Sequence, residues 1–512
     1  MKRLIIGMLA ALVACGSVSP KTYTNKSFFT PRNHLTNIAM EQTTWHKQTA
    51  LIDEDKFGGS VQATGFYEAS ENQGDLGKFF GVKNYWNGNS IDDFIEVEQW
   101  AANGANSFTH LYAEDVFHRW TASSPAAPWY VTNPSKLADR IKLRPYRDSY
   151  GIRLDYHQKL DKIVDGLFFK VSLPLVHVKT SLDYSSTTSH GYGTKQKLAI
   201  NQALNGDEKS FIDYLTGNVA NTDAHNAQNA LTKMKFHNGN DETGVADIDF
   251  TLGYNFLYEN KKHLNASIGL TIPTGSDPDG NFLWEAIVGN GGHYAVGAGM
   301  DGAFEIWKDE DMSLDIVFGF NYRYLLKASE TRCPGFKVNT GTTEYPKEML
   351  FGRYILGGKI GQVAGTALEP LANLITRDFN VTPGSHFDGM VDFAFNWSDF
   401  TFDLGYNLFA KTAEHVSWKG EEIHNVYGTA NWGYRVDNAV FTANNALTKD
   451  DYLLDTITHP SVVTHKIFSG IGYAYNGWEY PIMFGIGGSY EFDTDNDALQ
   501  TWSLYGKFGL TF

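Results

Sequence analysis

The 512-residue sequence contains only two cysteines, Cys15 and Cys333, which are too few for a disulfide framework. Beyond the N-terminus it also lacks any apolar run long enough to span a bilayer as a helix. Basic residues are scarce: 42 Lys and Arg stand against 58 Asp and Glu, for a formal charge of −16. Nucleic acid is therefore excluded as an expected partner, since proteins hold it by neutralising phosphates, and cations are the more natural ligands.

Glycine and aromatic residues are abundant where apolar residues as a whole are not. The chain has 50 Gly and 14% aromatics, but only 42% hydrophobic residues. This composition fits a β-wall with an apolar outer face and a polar inner face. A soluble β-protein can share it, so the strand pattern has to decide.

The first residues predict a secretion signal. Met1-Lys2-Arg3 is a basic start, Leu4 to Ala14 is a short apolar stretch, and Cys15-Gly16-Ser17 provides small residues for cleavage. Residues 1–15 are thus predicted to be a signal peptide. Leu12-Val13-Ala14-Cys15 also resembles the bacterial lipobox, which implies a lipid on Cys15; the alternative is an ordinary cut near Gly16, with Cys15 incidental.

Residues 16–56 show neither a period of 2 nor one of 3.6, and include Pro20 and Pro31. We interpret this stretch as an N-terminal extension or a plug.

From Val245 onward the sequence alternates cleanly between apolar and polar residues. Ile248, Phe250, Leu252, Tyr254, Phe256 and Tyr258 share one face, while Asp247, Asp249, Thr251, Gly253 and Asn255 share the other. The same pattern predicts twelve strands, near 57–68, 147–158, 166–178, 245–258, 264–272, 294–306, 312–324, 386–397, 400–411, 463–476, 479–491 and 500–512.

The connections between these strands alternate between short turns and long polar loops. The long ones lie near 69–146, 179–244, 274–292, 327–385 and 412–462, with short helices expected around 208–215 and 223–234. This asymmetry predicts an all-β fold, a closed antiparallel transmembrane β-barrel over residues 57–512 with long extracellular loops. Two further candidate strands, 350–360 and 423–434, break the alternation and are assigned to loops, although fourteen strands would also be an even number. A soluble sandwich fits less well, because water would cover its outer faces and Phe, Tyr and Leu would not alternate there so persistently. The lack of a visible fixed repeat also argues against a propeller.

The final segment, Trp502 to Phe512, alternates to the last residue. Phe512 follows Leu510, Phe508 and Leu504 at every second position, with Gly506 as the departure. This segment resembles the terminal-strand signature of Gram-negative outer-membrane β-barrels. The resemblance implies an outer-membrane location and recognition by the barrel assembly machinery. The general organisation is also similar to phospholipase, autotransporter and small-solute channel barrels, and to transporter-like barrels linked with phenol degradation, but no internal motif selects one of them.

If the aromatic face meets lipid, the opposite face lines the lumen. The predicted register points ten acids inward, namely Glu68, Asp155, Asp247, Asp249, Asp301, Glu305, Asp315, Asp392, Asp403 and Glu491. It points five bases the same way, namely Arg153, Lys170, Arg323, Lys466 and Lys507. This excess predicts a cation-leaning lumen, with a salt-bridged interior that merely stiffens the barrel as the alternative.

No catalytic, metal or cofactor site is predicted. A barrel phospholipase needs a His and a Ser two residues apart, whereas His465 and Ser469 are four apart. The acidic segments 277–280 and 493–497 lack a complete calcium-loop pattern, so solvated loop charges are the expected reading. We therefore do not expect an enzyme.

These observations favour a passive, porin-like channel or transporter for small solutes in the outer membrane. Two alternatives remain open. One is a plugged, surface-binding or structural barrel that acts through its loops, and the other is a transporter for hydrophobic substrates.

Overall fold

A computed structural model describes residues 21–23, 25–43, 58–81, 83–86, 91–97, 139–188, 196–197, 208–209, 211–220, 228–259, 262–336, 353–354, 356–362, 368–420, 423–429 and 446–512. The predicted signal peptide, including Cys15, lies outside these residues. The described part of the chain is all-β, with a few short helices.

Twelve long strands form one closed antiparallel sheet. In chain order they are β1 Gly59–Ser70, β2 Tyr146–Lys159, β3 Leu167–Ser181, β4 Ile248–Glu259, β5 Lys262–Ile272, β6 Ala295–Asp309, β7 Met312–Leu325, β8 Gly384–Trp397, β9 Phe400–Lys411, β10 Val462–Tyr475, β11 Ile482–Phe492 and β12 Thr501–Thr511. Sequence neighbours pair throughout, and β12 pairs with both β11 and β1, which closes the barrel. The prediction of a closed twelve-stranded barrel is confirmed.

The two doubtful segments do not enter the barrel. Leu356–Lys359 and Tyr427–Thr429 pair with each other in a separate small sheet, which also contains Glu369–Pro370. The fourteen-strand alternative is therefore wrong, because these strands add to a loop sheet rather than to the wall.

The strand predicted from Val245 is interrupted. Asn240–Val245 pairs with the far half of β3, and β4 begins only at Ile248. Asp247 lies in the break, with a left-handed φ of 70°, so it is not a regular strand residue as predicted. A β-bulge between Asn255 and Leu257 then pairs Tyr258 with His263. The extra residue reverses the alternation predicted beyond Asn255, and the side chain of Tyr258, predicted to face outward, lies outside the described part of the chain.

The outer face of the barrel is apolar and carries aromatic side chains near both ends. At the end with the short turns, the exposed aromatics are Phe256, Trp307, Trp397, Phe400, Tyr475, Trp478, Tyr480 and Phe512. At the end with the long loops they include Tyr67, Tyr150, Tyr294, Tyr322, Tyr324, Phe387 and Tyr490. Between them are exposed aliphatic residues such as Leu252, Ile268, Leu404, Ile486 and Leu504. Two aromatic girdles around an aliphatic band match the layers of a bilayer.

Two of the short connections are tight two-residue turns. Residues 310–311 join β6 to β7, and residues 398–399 join β8 to β9. Glu310 and Ser398 adopt left-handed φ values of 40° and 53°, which such hairpins require. By analogy with the loop asymmetry of transmembrane barrels, the end with the short turns corresponds to the periplasmic end.

The long loops fold into a cap with its own apolar core. Its short strands are Lys83–Trp86, Ile91–Val97, Asp139–Lys142, Ser185–Thr188, Gln196–Lys197, Glu208–Lys209, Ala328–Arg332, Gly335–Phe336, Arg377–Thr382, His415–Trp418 and Tyr452–Leu453. Its helices are Gln73–Phe79, Phe211–Leu215 and Leu371–Ile375, with short 3₁₀ turns at Lys449–Asp451 and Leu454–Ile457. Loop residues such as Phe79, Phe80 and Trp284 form the core of this cap.

The loop helices were predicted only in part. The helix expected at 208–215 is present as Phe211–Leu215, whereas residues 228–234 of the second expected helix are irregular and its earlier part lies outside the described residues. No helix in the described part of the chain is long and apolar enough to cross a membrane.

Candidate functional site: the occupied lumen

The structure places the sequence-predicted charges on the inner face of the barrel. Asp155, Asp247, Asp249, Asp315, Asp392, Asp403, Lys466, Glu491 and Lys507 are buried, and Asp301, Glu305 and Arg323 are partly buried. Their strand neighbours on the other parity, such as Leu404 beside Asp403, are exposed on the outer face. The alternation therefore separates charge from lipid along the wall.

Several inward charges pair with one another across strands. Arg323 Nη2 lies 3.1 Å from Asp249 Oδ2, and Lys466 Nζ lies 2.8 Å from Glu491 Oε2. Arg153 Nε donates to Asp155 Oδ1 at 3.0 Å on the same strand. Amides serve other acids: Asn396 Nδ2 donates to Asp315, and Asn265 Nδ2 to Asp301. Much of the wall charge is thus compensated locally.

Residues 25–43, here called the plug segment, lie inside the barrel. A 3₁₀ turn at His34–Thr36 is followed by the helix Ile38–Gln42. Asn33 and Asn37 cap the two elements, because their side-chain oxygens accept hydrogen bonds from Leu35 N and Met40 N. Most residues of the segment are buried, which explains why they show no exposed and buried periodicity in the sequence.

Arg32 joins the plug segment to three strands of the wall. Its Nη2 lies 2.9 Å from Asp388 Oδ1 on β8, and its Nη1 lies 2.9 Å from Glu491 Oε1 on β11. Nη2 also donates to Asn407 Oδ1 on β9 at 3.1 Å. The guanidinium further packs on Phe409, 4.5 Å from the ring centroid. This contact is charged, multidentate and mostly shielded from solvent.

Glu41 makes the opposite contact at the other end of the segment. Arg153 Nη2 on β2 lies 2.6 Å from Glu41 Oε2, and Lys170 on β3 binds the other carboxylate oxygen. Lys507 on β12 donates to the Glu41 and Thr43 carbonyl oxygens. The wall is therefore acidic where the plug segment is basic, and basic where the plug segment is acidic.

The plug segment makes further polar and apolar contacts with the wall. Asn33 donates to Asp247 Oδ2 at 2.5 Å, and His34 Nε2 lies 3.0 Å from Ser149 Oγ. Ile38 N donates to Asp388 Oδ2 at 3.2 Å. Ile38 and Ala39 also pack in a small apolar cluster with the wall residues Ala303, Val317, Met390, Ala394 and Phe468.

Three charged wall residues near the plug segment were missed in the sequence. Asp388, Arg147 and Lys411 are buried on the same parity as predicted inward residues of their strands. Asp388 is four residues from Asp392, Arg147 is six from Arg153, and Lys411 is eight from Asp403. Extending the alternation to the strand ends would have found all three. No local signal marks Arg32 or Glu41, since their partners are distant in sequence.

A cavity of about 40 Å³ lies between the plug segment and the wall, with room for only a few water molecules. It is lined by Arg32, His34, Glu68, Arg147, Lys466, Glu491 and other residues of the segment and wall.

A second charged cluster anchors the outer end of the plug segment to the cap. Arg332 Nη2 lies 2.7 Å from Glu330 Oε2, and its Nη1 lies 2.6 Å from Glu414 Oε2. Phe28 of the plug segment stacks on the guanidinium at 3.6 Å, and Thr30 Oγ1 donates to Glu414. Burial alone would raise the pKa of Glu414, but Arg332 outweighs it and the pKa is lowered. Glu414 is therefore held as a carboxylate.

His293 completes this cluster. Its Nε2 lies 2.6 Å from Glu330 Oε1, and its Nδ1 lies 2.7 Å from the Leu326 carbonyl oxygen. Burial opposes the charged ring, yet the Glu330 carboxylate raises the pKa of His293 above its usual value. The cap is thus fastened by buried ion pairs as well as by its apolar core.

The acidic loop segments form no metal-binding cluster among the residues described. In the first segment's loop, Asp279 lies within hydrogen-bonding reach of Glu285. In the second segment, Asp493 lies within hydrogen-bonding reach of Asp497. Burial and the neighbouring Asp493 raise the pKa of Asp497 to about 8. His465 and Ser469 both lie on the outer parity of β10, where His465 Nδ1 is 2.6 Å from the Tyr406 hydroxyl.

Comparisons with known proteins concern only the general architecture. No protein-family model and no curated protein matches the chain. Among solved structures, an outer-membrane channel from Pseudomonas putida F1 is 10% identical with a TM-score of 0.36, over 90% of this chain and 100% of that one. The CymD monoaromatic hydrocarbon channel is 9% identical with a TM-score of 0.28, over 95% and 98%. A Pseudomonas aeruginosa FadL homologue is 8% identical with a TM-score of 0.28, over 94% and 98%.

The chain's own geometry decides its class. Its twelve strands close on themselves, so their backbone groups are satisfied within the wall. The outer face is aliphatic between two aromatic girdles, and the charges are turned inward. The chain therefore forms a closed transmembrane β-barrel.

Proposed function

We propose that the protein is an outer-membrane channel or transporter for small solutes, closed at rest by the plug segment. The observation that carries this proposal is the set of ion pairs that Arg32 and Glu41 make with the lumen wall. Polar contacts can be exchanged for water or a polar solute when a segment moves, whereas a continuous apolar core resists wetting. A plug segment held mainly by such polar contacts is suited to leave the lumen.

Transport is proposed to be passive and the open lumen to favour cations. Acidic side chains on the described inner wall outnumber basic ones. The acids are Glu68, Asp155, Asp247, Asp249, Asp301, Glu305, Asp315, Asp388, Asp392, Asp403 and Glu491; the bases are Arg147, Arg153, Lys159, Lys170, Arg323, Lys411, Lys466 and Lys507. An inner wall with a net negative charge attracts cations and repels anions.

Planar-bilayer recording tests this proposal. The full chain, the double variant Arg32→Ala/Glu41→Ala, and the control Lys419→Ala/Asp378→Ala are compared under a salt gradient. The control removes an exposed ion pair of the cap, with 2.9 Å between its charged atoms. We expect rare openings for the wild type and the control, and frequent stepwise openings with a cation-biased reversal potential for the plug variant.

A double variant that folds but never conducts would contradict the channel and favour a barrel that acts through its cap. An unbiased reversal potential would contradict the cation preference alone. The hydrophobic-substrate alternative is less supported, because the aromatic residues around Phe29 and Trp284 pack closely and the cavity beside them measures about 10 Å³. We also propose that the protein is not an enzyme.

A further inference from the structure

The plug segment presents opposite charges to two separate regions of the lumen wall. The upper subsite consists of Asp388, Asn407 and Glu491, which contact the Arg32 guanidinium. The lower subsite consists of Arg153, Lys170 and Lys507, which contact Glu41. Both subsites belong to the wall, so they would remain in place after the plug segment moved.

The strand register and the plug segment together give the separation of the two subsites. Glu491 on β11 pairs with Thr501 on β12, and Lys507 lies six residues further along β12, roughly 20 Å along the strand. The side chains themselves approach more closely, because Asp388 Oδ2 accepts from Ile38 N at 3.2 Å and Arg153 Nη1 donates to the adjoining Asn37 carbonyl oxygen at 3.4 Å. Asp388 and Arg153 therefore lie within about 9 Å of each other. The upper subsite is nearer the extracellular cap, because β11 ends and β12 begins on that side.

We infer that the two subsites form a binding site for an elongated zwitterionic solute, of the size of a short peptide. This inference rests on the proposed function, since the solute has to enter the lumen. A cationic end would occupy the position of the Arg32 guanidinium, and a carboxylate the position of the Glu41 carboxylate. A simple cation would fill only the upper subsite and leave the three bases of the lower subsite without their present partner.

The plug segment and the solute would compete for the same wall groups. When the segment occupies both subsites, the competent state is only a fraction of the population, which weakens apparent binding in proportion. Removing Arg32 and Glu41 frees the subsites without altering any wall residue. The double variant is therefore the protein in which the site is most accessible.

Isothermal titration calorimetry on the full-length double variant in detergent tests the inference with one matched series. The probes are tri-alanine, its N-acetyl form, its C-terminal amide and the doubly capped peptide. An extended tripeptide spans about 10 Å, close to the separation of Asp388 and Arg153. We expect tri-alanine to bind at least about tenfold more tightly than each capped form, because charge-assisted hydrogen bonds are lost at one or both ends.

Two wall variants in the same background test which subsite binds which end of the peptide. Asp388→Asn is expected to abolish the advantage of tri-alanine over its N-acetyl form, and Lys170→Gln its advantage over the amide. Equal binding of all four probes would overturn the inference, as would an advantage that depends on one charged end only. Conductance is recorded separately on the same preparations: zwitterion binding without conductance would refute the channel and keep the subsites, whereas conductance without such binding would do the reverse.

Discussion

Arg32 is the plug-segment side chain whose polar contacts reach three strands of the wall. It bonds to Asp388 and Glu491, of which Glu491 keeps Lys466 as a second partner. Removing one partner of a shielded ion pair costs more than the pair contributes, since the remaining charge is left without compensation. The loss of Arg32 is therefore expected to destabilise the closed position of the plug segment rather than the fold of the barrel.

We predict that Arg32→Ala lowers the free energy of local opening of residues 25–43 by about 2–4 kcal/mol. Hydrogen exchange of this segment measures it directly. Lys419→Ala, which breaks the exposed pair with Asp378, is expected to change cap protection by no more than about 1 kcal/mol. Equal protection of residues 25–43 in Arg32→Ala and wild type would refute the role of this contact.

Glu285 in the loop between β5 and β6 gives a prediction on pH. Burial, together with a hydrogen bond and the charge of Asp279, raises its pKa from 4.5 to about 8. The folded loop therefore binds a proton more tightly than the unfolded loop. Its contribution to stability is full below about pH 4.5 and is lost as pH rises through about 8.

Glu285→Gln should remove this pH dependence, because the amide remains neutral. Hydrogen exchange across residues 273–294, corrected for the intrinsic rate, should show falling protection with pH in the wild type and a flatter response in the variant. The same slope in both proteins would show that another group controls the loop.

At the scale of elements, the strands were predictable because each wall strand has one face in lipid and one in the lumen. That constraint produces a period of 2 in the sequence. In β9, for example, the predicted and observed bounds are both 400–411. The failures lie where one extra residue changes the parity, at Asp247 and after Asn255. No glycine or proline stands at either position to indicate the change of parity.

The terminal strand β12 closes the barrel, and Phe512, the residue that follows it, takes part. Phe512 N donates to the Gly59 carbonyl oxygen at 2.9 Å, and Gly59 N donates back to Phe512 O at 2.8 Å. Phe508 and Leu510 lie on the outer face of the same strand. We keep the proposal that Phe512, Leu510 and Phe508 form the signal read by the barrel assembly machinery.

Phe512→Ala should reduce the amount of folded barrel in outer membranes several-fold, measured by heat-dependent electrophoretic mobility. Phe400→Ala is a matched control, since both phenylalanines are 41% exposed at the periplasmic end. A recognition signal predicts a large effect at Phe512 alone. Equal losses would mean that both act only through burial in lipid.

At the scale of the whole molecule, the plug segment connects the cap to the lumen. Ser27 N donates to the Thr456 carbonyl oxygen in the cap, while Lys507 on the wall donates to Thr43 O. The sequence indicated an extension or a plug, but its partners could not be read from it. Arg32 and Glu491 are 459 residues apart, and no short-range pattern encodes such a pair.

The plug segment is proposed to close a conducting lumen. Ile38 and Gly319 offer a way to lock it, because a Cβ built on Gly319 would lie 2.6 Å from Ile38 Cδ1. Ile38 Cγ1 lies 3.5 Å from the same point, so cysteines at both positions are expected to bring the two sulfurs within disulfide reach.

The decisive measurement is the bilayer conductance of Ile38→Cys/Gly319→Cys in the Arg32→Ala/Glu41→Ala background, before and after addition of reductant. Channels are expected to stay closed while the disulfide is formed and to open frequently after reduction. Equal conductance in both states, with the disulfide verified by mass spectrometry, would show that the plug segment is not the gate.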